Sequence, residues 1–210
     1  MRAARYHGRR DIRVDNVDAP EPGTGEVQID VTACGICGSD LHEYEAGPQT
    51  IPDDEPHPVT GERLPVTMGH EFSGTVVDTG PNVSMSTGTR VAVNPIVWCG
   101  NCRYCTEGNY HRCTSGGFVG LSGGGGGFSE EVVVSTEKVV PIPDGLSTES
   151  AALAEPFSVG LHAVRQSNLT AGADVAVFGC GPIGLTIVQA ARLSGAKSVI
   201  AVEPRDSRRE

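Results

Sequence analysis

Cys99, Cys102, Cys105 and Cys113 stand in the pattern C-x2-C-x2-C-x7-C, and no other stretch restricts the fold as tightly. Four thiolates at this spacing close a tetrahedral shell around one Zn²⁺ and leave no position open for a substrate. Chance clustering or a reactive redox pair would not call for three evenly spaced cysteines and a fourth in one short lobe. A closed shell implies a structural ion, which takes the place of a core in a lobe with little apolar content. The total of seven cysteines is odd, and four sit at ligand spacing. A reduced, cytoplasmic interior therefore fits better than a disulfide framework.

The 210 residues suffice for one large domain, or for one domain and part of another. A formal charge of -10 argues against nucleic acid or an anionic membrane as partner, because a phosphate surface would be repelled. Lys138 and Lys197 are the only lysines, and an acidic, lysine-poor surface is compatible with a high-salt cytoplasm. No apolar run approaches the ~20 residues of a membrane span. The N-terminus, Met1-Arg2-Ala3-Ala4-Arg5, is charged and reads into a strand pattern without an apolar signal segment.

Residues 1–33 read as β, with period-two runs at Ile12, Val14, Val17 and at Val27, Ile29, Val31. A Pro- and Gly-rich turn at 19–25 separates them. The second run ends at Cys34, and a short helix is expected from there with Ser39 as its N-cap. Residues 46–65 carry five prolines and read as a loop. Strand patterns return at Val66–Val77, Val91–Val93, Glu131–Val134 and Lys138–Val140. The glycine run Gly123–Gly127 between them reads as a flexible turn, too short for a linker. The texture changes after Pro141-Ile142-Pro143-Asp144-Gly145. Ser147 is expected to cap one helix, and 158–165 to form another. Strand 174–178, helix 182–193 and strand 198–202 then spell a βαβ unit. The expected fold class is β-rich plus α/β, with domains at 1–150 and 151–210.

A second group of soft and hard ligands lies in Cys34-Gly35-Ile36-Cys37-Gly38-Ser39-Asp40-Leu41-His42 and Gly69-His70-Glu71. A Cys, a His and a carboxylate suit a catalytic Zn²⁺ that keeps one position open. Alone, His70 would more often be an ordinary histidine and Cys37 a buried small residue. Such an ion acts as a Lewis acid on an alcohol, and Ser39 with His42 offers a hydroxyl and an imidazole to carry a proton away. Cys34 and Cys180 read as packing residues. Gly179-Cys180-Gly181-Pro182-Ile183-Gly184 is G-x-G-x-x-G, set between an apolar strand and a helix. Its glycines permit a tight turn and the approach of a pyrophosphate to the helix N-terminus. Glu203 follows nineteen residues after Gly184, where an acid accepts from ribose hydroxyls and favours NAD. Arg205 is the nearby group that could instead reach a 2′-phosphate.

Together these segments, with Ala154-Glu155-Pro156, resemble the zinc-containing medium-chain dehydrogenase/reductase family. The resemblance implies a GroES-like β-barrel catalytic domain followed by the first βαβ part of an NAD-binding Rossmann domain. It also implies one catalytic and one structural Zn²⁺. Cys37, His70 and Glu155 would surround the catalytic ion, with Glu71 an exchangeable or neighbouring ligand. A glutamate before Pro156 points to the polyol branch of sorbitol, threonine and butanediol dehydrogenases. The long 46–65 loop is most similar to the 2,3-butanediol type, whose substrates are a small vicinal diol and a hydroxyketone. Full-length members are expected to be homo-oligomers. Four further parallel strands and a return to the catalytic domain belong to the family pattern and are not in this sequence. These residues therefore read as a fragment of such an enzyme or, by themselves, as a non-catalytic zinc-binding protein.

Overall fold

Apolar residues recurring at every second position suit a pleated, half-buried surface, and the Val27, Ile29, Val31 run lies in the largest sheet of the computed structural model. The structure describes residues 1–209; Glu210, the end of the expected second domain, lies outside the described residues. The chain divides into two units, Met1–Ala152 and Leu153–Glu210.

In the first unit the strands are β1 (Arg2–Gly8), β2 (Asp11–Asn16), β3 (Glu26–Gly35), β4 (Val66–Thr67), β5 (Glu71–Thr79), β6 (Arg90–Val93), β7 (Ile96–Val97), β8 (Gly117–Phe118), β9 (Glu131–Ser135) and β10 (Val139–Pro141). Its helices are α1 (Gly38–Ala46), α2 (Arg103–Thr106) and α3 (Thr148–Ala151). One antiparallel sheet has the order β10-β6-β5-β3-β9, a second the order β2-β1-β4, and β7 pairs with β8 alone. Val27, Ile29, Phe72, Val76, Val91, Val132 and Val134 form one buried cluster. Tyr6, Ile51, Val66, Met68 and Leu121 form another. Ile12 and Val14, whose alternation marks β2, are by contrast exposed.

Four expectations need correction. Ser39 does not cap α1: Cys37 occupies the N-cap, and the Asp40 carboxylate accepts the Cys37 N–H at 2.9 Å. A carboxylate in the first turn satisfies a donor that has no partner within the helix. The pattern across 66–77 is not one strand, because Gly69 at φ +93° breaks it and sets His70 outside the ladder. The helix expected from Ser158 begins at Ala154 and so includes Glu155 and Pro156. The run Gly123–Gly127 is not a flexible turn. Gly127 N–H donates to Gly69 O at 2.8 Å, Phe128 N–H to Met68 O at 2.9 Å and Gly124 N–H to Glu62 Oε1 at 2.8 Å. At Gly123, Gly125, Gly126 and Gly127 neighbouring backbone and side chains fill the space that a Cβ would occupy, and Gly124 has φ +77°.

Ser147 caps α3 as expected, its Oγ accepting the Ser150 N–H at 3.1 Å. The second unit contains α4 (Ala154–Gln166), β11 (Asp174–Phe178), α5 (Pro182–Leu193) and β12 (Ser198–Val202). β11 and β12 pair in parallel from Asp174↔Ser198 to Phe178↔Val202, with α5 as the crossover. α4 packs on α5 at Gly160, where a Cβ would lie 2.4 Å from Thr186 Oγ1. Among the described residues no helix is long and apolar enough to cross a membrane.

Candidate metal centre and dinucleotide turn

Pairing of β3 with β5 sets Gly35 opposite Glu71 and so brings the end of one strand to the start of the other. Cys37 and His70 are the residues just beyond that junction. Ligand atoms of Cys37, His70 and Glu71 all lie within 4.8 Å of one another. Gly35 is part of the construction: a Cβ there would sit 2.2 Å from Glu71 Oε2. Its missing side chain makes room for the carboxylate.

His70 is buried, and its surroundings act on it from two sides. Nδ1 faces Asp40 Oδ1 at 3.5 Å, while Nε2 lies 3.4 Å from Ser39 Oγ. Burial pushes the His70 pKa down, but the facing Asp40 carboxylate and the Cys37 thiol outweigh it and carry the value up to about 10. Asp40 Oδ1 and His70 Nδ1 are buried with no hydrogen-bond partner of good geometry. A carboxylate behind the distal nitrogen of a histidine is the usual support of a metal-bound imidazole. A thiol, an imidazole and a carboxylate suit Zn²⁺, so the residues present fit that ion. His42 lies one helical turn beyond Ser39, on the same face of α1 and exposed. Cys34 is packed against Gly69 and Gly127, and burial pushes its thiol up to about 12.

The four-cysteine lobe runs from the end of β7 to the start of β8. The ligand atoms of Cys99, Cys102, Cys105 and Cys113 also lie within 4.8 Å of one another. Cys102 Sγ is 3.6 Å from Cys105 Sγ and 3.9 Å from Cys113 Sγ. A tetrahedral shell with metal–sulfur bonds of about 2.3 Å has edges of about 3.8 Å. Both of these separations match an edge of a closed thiolate shell. Backbone N–H groups of Cys105 and Thr114 hold the Cys102 thiol down to about 6, which favours the ligating thiolate.

In the second unit Gly179 has φ +97°, and a Cβ on Gly184 would lie 1.8 Å from Gly179 O. The turn thus requires glycine at both positions. Gly181 is the N-cap of α5 and Pro182 its first residue, with Ile183 next. Glu203 is buried. Its Oε2 accepts the Cys180 N–H at 2.8 Å and its Oε1 the Arg205 N–H at 2.9 Å. These two backbone donors hold its carboxyl below the usual carboxylate range.

Residues 23–144 match the family described as alcohol dehydrogenase GroES-like domain. The chain belongs to the alcohol dehydrogenase GroES-like family. Among relatives of this GroES-like chain, the (R,R)-butanediol dehydrogenase of Bacillus subtilis strain 168 is 50% identical over 211 residues, covering 100% of this chain and 60% of the relative. A crystal structure of 2R,3R-butanediol dehydrogenase from Bacillus subtilis superposes with a TM-score of 0.93 at 50% identity, covering 99% of this chain and 59% of that one. A structure described as a zinc-binding dehydrogenase of Sinorhizobium meliloti 1021 bound to NADP has a TM-score of 0.88 at 37% identity, covering 99% and 57%. The chain thus spans about 60% of the length of the relatives it matches.

Glu155 lies in the first turn of α4. Two residues, one beside the metal cluster and one beside the glycine turn, escape a reading by motif. Asp40 has a sequence signal, an acid three residues after the cysteine that caps the helix. Arg208 has none: its Nη1 lies 4.0 Å from Glu203 Oε2, and a Cβ on Gly181 would be 3.5 Å from it.

Proposed function

We propose that the chain is the catalytic and initial cofactor-binding part of an NAD-dependent zinc dehydrogenase. The reaction is hydride transfer between a secondary alcohol and NAD, with 2,3-butanediol and acetoin as the substrate pair. The observation that carries this reading is the convergence of Cys37, His70 and Glu71 at the β3–β5 junction. The likeness to a butanediol dehydrogenase over the whole chain supports the choice of substrate.

Cys37 and His70 would hold the ion, with Glu71 the neighbouring or exchangeable ligand, and the family resemblance implies Glu155 as a further ligand. When bound, Zn²⁺ supplies Lewis-acid polarisation of the substrate oxygen and lowers the pKa of its hydroxyl. Asp40 orients the His70 ring through Nδ1. Ser39 Oγ accepts the proton of the alcohol as its own hydroxyl proton passes to the exposed His42, which releases it to solvent. The four-cysteine lobe holds the structural ion. Gly179, Gly181 and Gly184 admit the NAD pyrophosphate to the N-terminus of α5, where Pro182 and Ile183 begin the helix. Glu203 accepts from the adenosine ribose and disfavours a 2′-phosphate. Four thiols at ligand spacing support a reducing cytoplasmic setting, and the family resemblance supports a homo-oligomer in the full-length form.

The test is metal content per chain with oxidation of (2R,3R)-butanediol, followed through NADH in the full-length form. Cys37→Ser is expected to lose one of two zinc ions and all turnover, and to retain the ion of the four-cysteine lobe. Two zinc ions and wild-type turnover in that variant would overturn the assignment.

A further inference from the structure

His57 belongs to the proline-rich 46–65 loop, and neither metal cluster includes it. Its side chain is nonetheless buried, 9% exposed. Nδ1 accepts the N–H groups of Val59 and Thr60, each at 3.3 Å. A nitrogen that accepts carries no proton, so the ring hydrogen sits on Nε2. Nε2–H donates to Gly116 O across a long 3.5 Å contact. The ring also lies on Gly117, where a Cβ would be 2.9 Å from Nε2. Two further bonds tie the loop to the same stretch: Thr60 Oγ1–H donates to Ser122 O at 2.6 Å, and Glu62 Oε1 accepts the Gly124 N–H at 2.8 Å.

What the loop grips is β8 and the turn after it. Gly116 N–H donates to Cys113 O at 3.1 Å, so the gripped segment begins at the last cysteine of the closed shell. Phe118 N–H donates to Ser122 Oγ at 3.2 Å, and Phe118 O accepts the Ser122 N–H at 2.7 Å. The ring of Phe118 lies 6.1 Å from that of His70, with the planes tilted by 51°. Asp40 faces His70 at the Nδ1 edge, and Phe118 is an aromatic neighbour of the ring.

We propose that His57 is a positioning residue for the Cys37–His70–Glu71 cluster. It clamps the 46–65 loop onto Gly116–Ser122, and Phe118, held by that clamp, keeps the His70 ring aimed at the other two ligands. This rests on the reading of the cluster as a metal site. Metal affinity at the cluster is then set partly by a loop that contributes no ligand.

Cobalt(II) titration of the full chain tests this, because an all-thiolate shell and a mixed Cys/His/Glu site absorb differently. His57→Ala is expected to weaken Co²⁺ binding at the mixed site about tenfold, the low end of losses from outer-shell changes, with the all-thiolate band unchanged. His57→Gln, which retains a donor for Gly116 O, is expected to recover most of that loss. The double variant His57→Ala/Phe118→Ala is expected to bind no more weakly than Phe118→Ala alone. Unchanged mixed-site affinity in His57→Ala, additive losses in the double variant, or equal loss of both bands would each overturn the proposal. A wild-type chain that shows only the all-thiolate band would overturn the metal reading itself, and the clamp with it.

Discussion

Gly127→Ala adds one methyl group where the glycine run meets the strand that follows His70. The new Cβ would stand 2.6 Å from Phe72 Cβ, 2.7 Å from Cys34 Sγ and 2.8 Å from Phe72 Cγ. Favourable carbon contacts need about 3.5–4.0 Å, so three atoms of a packed core are each overlapped by close to an ångström. Phe72 is 1% exposed and belongs to the central cluster, so it has no free space to enter. The backbone of Gly127 is not in the left-handed region and its N–H bond to Gly69 O survives the change. The cost is therefore steric, of the order of 1–3 kcal/mol for an overpacked core. For about 2 kcal/mol the melting temperature of a chain of this size falls by about 4–8 °C. Urea and thermal unfolding measure it, and Cys34→Ala in the same background is expected to return part of the loss. A Gly127→Ala chain within about 0.5 kcal/mol of wild type would refute close packing of the run and restore the flexible turn.

Two other outcomes follow from the titrating groups. In the chelator-treated chain the His70 pKa is raised to about 10, so protonated His70 contributes stability fully below its ordinary value of about 6.5. That contribution is lost as pH rises through about 10, and the urea midpoint is expected to fall across this window and to fall less in Asp40→Asn. A flat midpoint in the wild-type chain would contradict the ion-paired His70. In the same metal-free chain, burial holds the Cys34 thiol up at about 12, whereas backbone donors hold Cys102 down at about 6. Iodoacetamide at neutral pH is expected to label Cys102 well before Cys34 by mass spectrometry, and the reverse order would refute both assignments.

Short-range features were legible in the residues themselves. The period-two run of β3, the strand pattern of β9 and the βαβ order of 174–202 need only near neighbours, and so does the cap at Ser147. The cysteine lobe was legible for the same reason, because three of its ligands fall within seven residues. Composition misled where tertiary contact gives a residue its role. Five glycines look like slack, yet Gly126 packs on the backbone of 67–68 and Gly127 on Phe72 and Cys34, while Gly123, Gly124 and Gly125 have positive φ. Ser39 looks like a cap, yet the Asp40 carboxylate accepts the N–H of Cys37, the residue at the N-cap.

Residue type alone determined the chemistry available to this chain: thiolates for a closed shell, a thiol–imidazole–carboxylate set for an open one, and a glycine turn before a helix. Only the tertiary structure decided which of those groups meet. Cys37 and His70 are 33 positions apart and converge because Gly35 pairs with Glu71. His57 reaches Gly116 across 59 positions. Contacts of that span depend on strand register and on the space a missing Cβ leaves, and neither is written in the local pattern of residues.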